Sequence, residues 1–351
     1  MKTIMVTGGA GFIGSHTCLT LLENKFKVIV VDSFQNSSPI ALEKVNFLLE
    51  KKIINIKNKF KIYKGDIENL NFLEQIFKDT YINQKIDAVI HFAGLKAVSE
   101  SVRNPLIYWK TNVGGSINLL KVMEKFNCNN LIFSSSATIY SNKEKPPFQE
   151  NSLKGPLSPY GNTKLTIEKI LEDIYKSFPN KWRICNLRYF NPIGAHQSGV
   201  IGENPKGSPN NIFPLILNVA ASNSRQFEVY GKDWETNDGT CIRDYIHVMD
   251  LADGHMTSLN YLLNNPPQFI NFNLGTGKGT SVIELIKTFE DINNLRIPYV
   301  FSKRRSGDIP IIIADNKKAV EFLKWTPKLN LSDMCKDGWN WKCKNPNGYN
   351  D

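Results

Sequence analysis

Tyr160 and Lys164 stand four residues apart, so in a helix they share one face. An ammonium beside a phenol favours the phenolate and draws a pKa of about 10 toward neutrality. A tyrosine primed in this way can accept a proton. Spacing alone decides nothing, because Tyr81/Lys85 and Tyr299/Lys303 repeat it. Only Tyr160 opens a long helical pattern and follows a β-type run that ends in hydroxyls, Ser134, Ser135 and Ser136. Such an end presents Ser136 at the carboxyl edge of a sheet, beside the tyrosine.

A second constellation lies near the start. Gly8-Gly9-Ala10-Gly11-Phe12-Ile13-Gly14 joins a β-branched run to a helical pattern. Glycines let the backbone turn tightly and approach a pyrophosphate, whose charge rests on the N–H groups opening the helix. The next strand pattern ends in Asp32, where a carboxylate would meet the adenosine ribose hydroxyls. An acid there repels a 2′-phosphate, which favours NAD over NADP. Asp66 and Ile67 end a third strand pattern and are candidates for the adenine edge, although Asp is also an ordinary turn residue.

These residues need a scaffold. Strands are expected over Thr3–Thr7, Lys27–Val31, Phe60–Tyr63, Ala88–Phe92, Leu131–Ser134 and Ile184–Leu187. Helices are expected over Phe12–Glu23, from about Asn112 to Phe126, and from about Tyr160 to Tyr175. The alternation predicts an α/β fold: a Rossmann-like, doubly wound parallel sheet with ligands at the carboxyl ends of its strands. Residues 1–190 would form this domain, with 240–275 returning late strands to it through Tyr245–Met249 and Ile270–Leu274. Residues 191–239 and 276–351, richer in Gly, Pro and loops, would form a smaller, discontinuous C-terminal cap that binds substrate.

Composition narrows the class. With 351 residues, 41% apolar and 22% charged, the chain can bury a sizeable core and is neither disordered nor a disulfide scaffold. The longest apolar run, Ile212 to Ala221, is too short for a membrane span and is broken by Pro214 and Asn218. With a glycine motif beginning at Gly8, no leader is expected, and a cytoplasmic protein is the reading. Six scattered cysteines form no CxxC and no zinc spacing, so no metal is expected. The net charge of +10 invites a nucleic acid, yet 35 of the 43 basic residues are dispersed lysines, so none is expected. The densest run, Lys51 to Lys64, reads as a solvated helix-to-strand connection. His16, His91 and His196 read as neutral packing or capping groups, His247 as a core histidine, and Trp325, Trp339 and Trp341 as packing residues.

Taken together, the glycine turn, the strand-end serine and YxxxK resemble the extended short-chain dehydrogenase/reductase family, within it the branch that inverts C4 of UDP-hexoses. The likeness is carried by GGAGFIGSH (Gly8–His16), FAGLKAVSES (Phe92–Ser101), SSSATIY (Ser134–Tyr140), YFNPIGAH (Tyr189–His196), GTCIRDYIHVMDLADG (Gly239–Gly254), RRSGDIP (Arg304–Pro310) and NPNGY (Asn345–Tyr349). It implies interconversion of UDP-glucose and UDP-galactose in galactose metabolism: Tyr160 as base, a hydride lent to tightly bound NAD, and a 4-keto sugar that turns over before the hydride returns. A homodimer is also implied, through the helices near Asn112 and after Tyr160.

The same resemblance assigns cofactor contacts to Gly8, Gly11, Phe12, Ile13, Gly14, Asp32, Ser33, Phe34, Gln35, Asn36, Ser37, Asp66, Ile67, Phe92, Ala93, Gly94, Leu95, Lys96, Thr111, Lys164 and Phe190. Substrate contacts fall on Lys96, Ser136, Tyr160, Tyr189, Asn191, Asn211, Ile212, Glu228, Val229, Tyr230, Arg243, Arg305, Asp308 and Ile312. Arg243 and Arg305 suit phosphate oxygens through their guanidinium forks. Ile312, intermediate in volume at a position that varies between aromatic and small, suggests plain hexoses over N-acetylated ones. Departures from the family pattern are Thr111 in place of Asn, Ser141 in place of Gly, and a short loop from Asn142 to Ser158. Two rivals remain. A dehydratase would need a carboxylate pair after the strand-end hydroxyl, where this chain has Ser136-Ala137-Thr138-Ile139-Tyr140; an NAD-sensing or nucleic-acid-binding module would have no use for a phenolate.

Overall fold

β-Branched runs and helical patterns alternate from Thr3 to Tyr189, and the strands form where the runs lie. The computed structural model describes residues 1–50, 56–83, 85–207, 209, 211–222, 226–305 and 307–349. The chain opens with β1 (Thr3–Thr7), α1 (Phe12–Glu23), β2 (Lys27–Asp32), α2 (Ile40–Glu50), β3 (Phe60–Lys64), α3 (Leu70–Asn83) and β4 (Ala88–His91). It continues through α4 (Val98–Arg103), α5 (Pro105–Tyr108), a π-helical stretch (Trp109–Gly114), α6 (Gly115–Lys125), β5 (Asn130–Ser136), α7 (Pro159–Ser177) and β6 (Arg183–Tyr189). The second half brings β7 (Asn191–Ile193), α8 (Ile212–Ala220), β8 (Phe227–Tyr230), β9 (Ile242–Arg243), β10 (Tyr245–His247), α9 (Val248–Asn264) and β11 (Gln268–Leu274). Last come β12 (Thr280–Ser281), α10 (Val282–Asn293), β13 (Tyr299–Ser302), β14 (Ile311–Ile312), α11 (Lys317–Leu323) and α12 (Leu331–Lys344).

Seven strands form one parallel sheet in the order β11-β6-β5-β4-β1-β2-β3. Alternate residues of each strand feed opposite cores. Ile4, Val6, Val28 and Val30 pack on α1, α2 and α9; Met5, Ile29 and Val31 pack on α3, α6 and α7. Because both faces are covered, the strands read as nearly continuous apolar runs. The strand order reverses between β1 and β4, and at such a switch point the carboxyl ends leave a crevice for a ligand. A separate core of Phe213, Ile216, Val229, Ile286, Phe289 and Met334 holds α8, α10 and α12 against β8.

Two expectations are corrected. Tyr245–Met249 does not return to the main sheet: Tyr245–His247 pairs with β7 in its own two-stranded ladder. After three residues His247 caps α9, its Nδ1 accepting from the Met249 amide at 3.1 Å, so the strand has no length to extend. Of the late segments, only β11 joins the sheet, beside β6. The helix expected from Asn112 begins as the tail of a π-helical stretch. The Lys51–Lys64 run lies outside the described residues over 51–55; from Ile56 it makes a 3-10 turn and then β3.

Among the described residues no helix is long and apolar enough to cross a membrane, and no cluster of three or more His, Cys, Asp or Glu could hold a metal. Behind the strand-end serines, Arg188 and Glu168 form a buried bidentate pair, Nε–Oε1 2.9 Å and Nη2–Oε2 2.7 Å. Ser135 Oγ donates to the same carboxylate at 2.6 Å, and Arg188 Nη1 donates to the Glu150 carbonyl at 2.7 Å. Breaking one side of such a pair strands the other charge without water. Glu168→Ala is therefore expected to lower unfolding free energy by about 3–5 kcal/mol in urea titration, and a loss under about 1 kcal/mol would refute this account.

Candidate active site

The turn from β1 into α1 approaches β4 closely. Gly8 adopts φ +70°, and a Cβ there would lie 2.7 Å from the Ala93 amide nitrogen; one on Gly14 would lie 2.3 Å from the Gly8 carbonyl. Only glycine permits this packing. It brings the N-terminus of α1 into the wall of a cavity of about 380 Å³, lined among others by Gly8, Gly11, Phe12, Ile13 and Gly14. Asp32, at the end of β2, is buried and tied down: Oδ2 accepts from the Ala10 amide at 2.9 Å, Oδ1 from the Phe34 amide at 2.9 Å and Ser37 Oγ at 2.8 Å. Three of a carboxylate's roughly four acceptor positions are thus filled, leaving capacity for a ligand hydroxyl. A glycine cradle, a helix N-terminus and a fixed acid fit a dinucleotide pyrophosphate and ribose.

Ser33, Gln35, Asn36, Ser37, Asp66, Ile67, Phe92, Ala93, Gly94, Leu95, Lys96 and Thr111 also line the cavity. Phe34 does not: at φ +56° its ring packs on the α1 side of the sheet.

At the far end of the same cavity stand Ser136, Tyr160, Lys164, Tyr189 and Phe190. Local signals put Tyr160 in the first turn of α7, since Ser158 caps the helix by accepting from the Gly161 amide at 3.1 Å and Pro159 fixes its first residue. Lys164 Nζ donates to the Ser134 carbonyl at 2.8 Å and lies 5.9 Å from the Tyr160 ring centre. Both groups are buried, and burial dominates their acidity. The phenol is pushed up to about 12, against a hydrogen bond with Ser136 that lowers it. Burial pulls the ammonium down to about 8, opposed by the charge of Glu168 one turn along. The expectation that Lys164 draws the phenol toward neutrality is not met in the protein alone, where desolvation of the anion dominates.

On the cap side, Asn191, Asn211 and Ile212 line the cavity. Glu203, also buried there, accepts from Lys96 Nζ at 3.1 Å and from Asn211 Nδ2 at 3.0 Å. A second group lies outside this cavity. Arg243 Nη1 donates to the carbonyls of Ile242 and Ile309, both at 2.9 Å, and Nη2 stands 3.9 Å from Asp308. Arg305 donates to Asp308 at 3.3 Å and stacks 4.6 Å over the Tyr230 ring, whose phenol is bonded to Glu228. Ile312 pairs with Arg243 across β14 and β9 and packs on the cluster containing Phe190, which joins this group to the cavity end. Val229, in contrast, buries its side chain in the cap core.

Comparison with known proteins agrees with this architecture. Residues 5–338 match the family described as GDP-mannose 4,6 dehydratase. UDP-glucose 4-epimerase 2 of Arabidopsis thaliana is 47% identical over 349 residues, covering 99% of this chain and 97% of that protein. The chain belongs to the UDP-glucose 4-epimerase family. The Bifidobacterium longum UDP-glucose 4-epimerase, crystallised with NAD+ and UDP, superposes with a TM-score of 0.92 at 45% identity, covering 99% of this chain and 100% of that one. The Stenotrophomonas maltophila UDP-glucose-4-epimerase, with bound NAD and formylated UDP-arabinopyranose, gives 0.91 at 40% identity and 98% of both chains.

Within this epimerase-family chain, the departures from pattern have structural explanations. Thr111 Oγ1 donates to Glu68 at 2.6 Å, so its hydroxyl is engaged by the loop between β3 and α3. Ser141 is buried beside Gly155, away from the cavity lining. Sequence reasoning missed Asn112, whose amide clamps Leu95 (N–Oδ1 2.8 Å, Nδ2–O 3.1 Å) and reaches Thr163 at 3.0 Å. It missed Thr138, which donates to Ser136 Oγ at 3.0 Å, and Glu203. Thr138 lies inside the quoted SSSATIY motif; Asn112 and Glu203 carry no local signal, since Leu95, Thr163 and Lys96 are 17 to 107 positions away.

Three histidines buttress the site as buried neutral groups. His91 bridges Thr7 and Ser116 at 2.7 and 2.9 Å, His255 bonds Ser134 at 3.0 Å, and His16 bonds the Phe12 carbonyl at 2.7 Å. Burial pulls His16 and His91 down to about 3 and His255 to about 4. Below pH 6.5 the unfolded chain takes up protons at these rings and the folded chain does not, so stability falls as pH drops. At pH 5 the loss is about 2 kcal/mol per ring. Urea midpoints should fall between pH 7.5 and 5; a flat profile would contradict neutral burial.

Proposed function

We propose that the chain interconverts UDP-glucose and UDP-galactose by inverting C4 of the hexose. The observation that carries this reading is one cavity with a dinucleotide cradle at one end and the buried Ser136, Tyr160 and Lys164 at the other. The names of its closely similar relatives support it. When bound, NAD supplies a hydride acceptor for the sugar carbon and, oxidised, a positive charge beside the phenol. The glycine turn would hold its pyrophosphate, and Asp32 the adenosine ribose.

The chain's own residues move the proton. Tyr160 takes it from the sugar 4-hydroxyl while Ser136, steadied by Thr138, hydrogen-bonds the reacting oxygen. A phenol pushed up to about 12 by burial needs positive charge close by to serve as base near neutral pH, and Lys164 contributes part of it. The resulting 4-keto sugar must present its other face, so a loose hold on the hexose combines with a firm one on the diphosphate. Arg243 and Arg305, each steered by Asp308, suit the firm hold. Atoms and electrons return to the same molecule, so the net reaction is an isomerisation.

Elimination, the chemistry named for the matching family profile, is less well supported. The carboxylates lining the cavity are Asp32 and Asp66 beside the glycine turn and Glu203, engaged by Lys96 and Asn211; none lies in the segment after Ser136. We further propose a cytosolic homodimer. Five of the six cysteines are buried free thiols, which suits a reducing compartment. Val98, Val102, Leu106 and Ile107 form an exposed apolar face on α4 and α5, the kind of patch that marks an interface. Sedimentation at the mass of two chains, reduced to one by Leu106→Asp, would bear this out, and a monomeric parent would not.

The decisive assay mixes the protein with UDP-galactose and follows UDP-glucose. Tyr160→Phe is expected to keep its NAD and lose turnover by about 10²–10⁴-fold, the range for a general base. Full activity in that variant would remove Tyr160 from the mechanism, and no conversion by the parent would remove the function.

A further inference from the structure

We propose that residues 202–206 form a strap across the dinucleotide cavity, fastened by Tyr349 at one end and Lys206 at the other, and that lifting it limits release of NAD. The inference rests on the reading that this cavity holds NAD. Gly202, Glu203, Asn204 and Pro205 line the cavity together with Tyr349. The next residue, Lys206, reaches across to the β2–α2 loop, its Nζ donating to the Phe34 carbonyl at 2.7 Å. Ser33, Gln35 and Asn36, the neighbours of Phe34, line the cavity from that side. Residues 202–206 thus connect the cap to the loop that carries Asp32's partners.

The other fastening comes from the segment after α12. The Tyr349 hydroxyl accepts from the Gly202 amide at 2.9 Å and donates to the Gly202 carbonyl at 3.2 Å, with its ring edge-on to Trp341 at 5.9 Å. Gly348, at φ +79°, has room for no side chain: a Cβ would lie 2.2 Å from Asn204 Oδ1. The stretch leading into the strap is pinned as well. Asn340, Lys344 and Asn345 donate to the carbonyls of Gln197, Ser198 and Gly199 at 2.9, 2.8 and 2.9 Å. A loop at the surface satisfies its carbonyls with water at no expense of order. Here side chains some 145 positions away do it instead, which fixes where the strap lies. A dinucleotide between the glycine turn and the strap leaves only after these bonds part. For a reaction that returns its electrons to the molecule that lent them, a captive cofactor is an advantage.

The test measures NAD release directly. Protein loaded with NAD is placed in NAD-free buffer with a glycohydrolase as scavenger, and the dinucleotide still bound is assayed over time. One net hydrogen bond is worth a factor of about 2 to 10 in an equilibrium. Tyr349→Phe, which removes two, should release NAD roughly tenfold faster, Lys206→Ala about threefold faster, and Lys206→Arg at close to the parent rate. Release within twofold of the parent for both Tyr349→Phe and Lys206→Ala, or equal acceleration by Lys206→Ala and Lys206→Arg, overturns the strap. Should Tyr349→Phe fail to fold, the exposed Lys206 pair carries the test alone. A parent protein that holds no NAD overturns the functional reading itself; NAD held and released at the parent rate in every variant overturns only the strap.

Discussion

Burying an ammonium requires partners, and the site is organised around how Lys164 obtains them. Its Nζ rests on the Ser134 carbonyl, and Glu168, one helical turn on, supplies the compensating charge. Glu168 in turn needs Arg188, and Arg188 needs the Glu150 carbonyl and the Tyr140 hydroxyl. Each charge is tolerable in a medium of low dielectric only because the next is present. The chain of compensation runs from the cavity through β5 and β6 to the loop after Tyr140, which ties this end of the cavity to the sheet behind it.

The same burial acts on the acidity of Tyr160 and Lys164. Desolvation raises the phenol and lowers the ammonium, moving each toward its neutral form. Positive charge brought close to the phenol would favour its anion against that desolvation.

The two ends of the cleft are built differently. At the nucleotide end, backbone N–H groups, a fixed carboxylate and a cradle too tight for side chains leave little freedom. Toward the cap, the lining mixes hydroxyls and amides with Glu203 set between Lys96 and Asn211, and the two arginines lie beyond, sharing Asp308.

Much of this was written locally. Period-2 and period-3.6 patterns, the glycine turn, Asp32 ending β2 and the Ser158-Pro159 signal before Tyr160 are short-range features, so sequence alone determined the strands, the parallel sheet and the placing of the tyrosine and lysine on one helix face. Tertiary structure decided what spacing cannot carry. Tyr245–His247 left the main sheet because a cap on α9 ended it; Val229 turned into the cap core and Phe34 into the sheet; Asn112, Glu203 and Tyr349 found partners 17 to 147 positions away. Above all, burial holds the Tyr160 phenol above its ordinary value in the protein alone, because proximity is written in the sequence and desolvation is a property only of the packed fold.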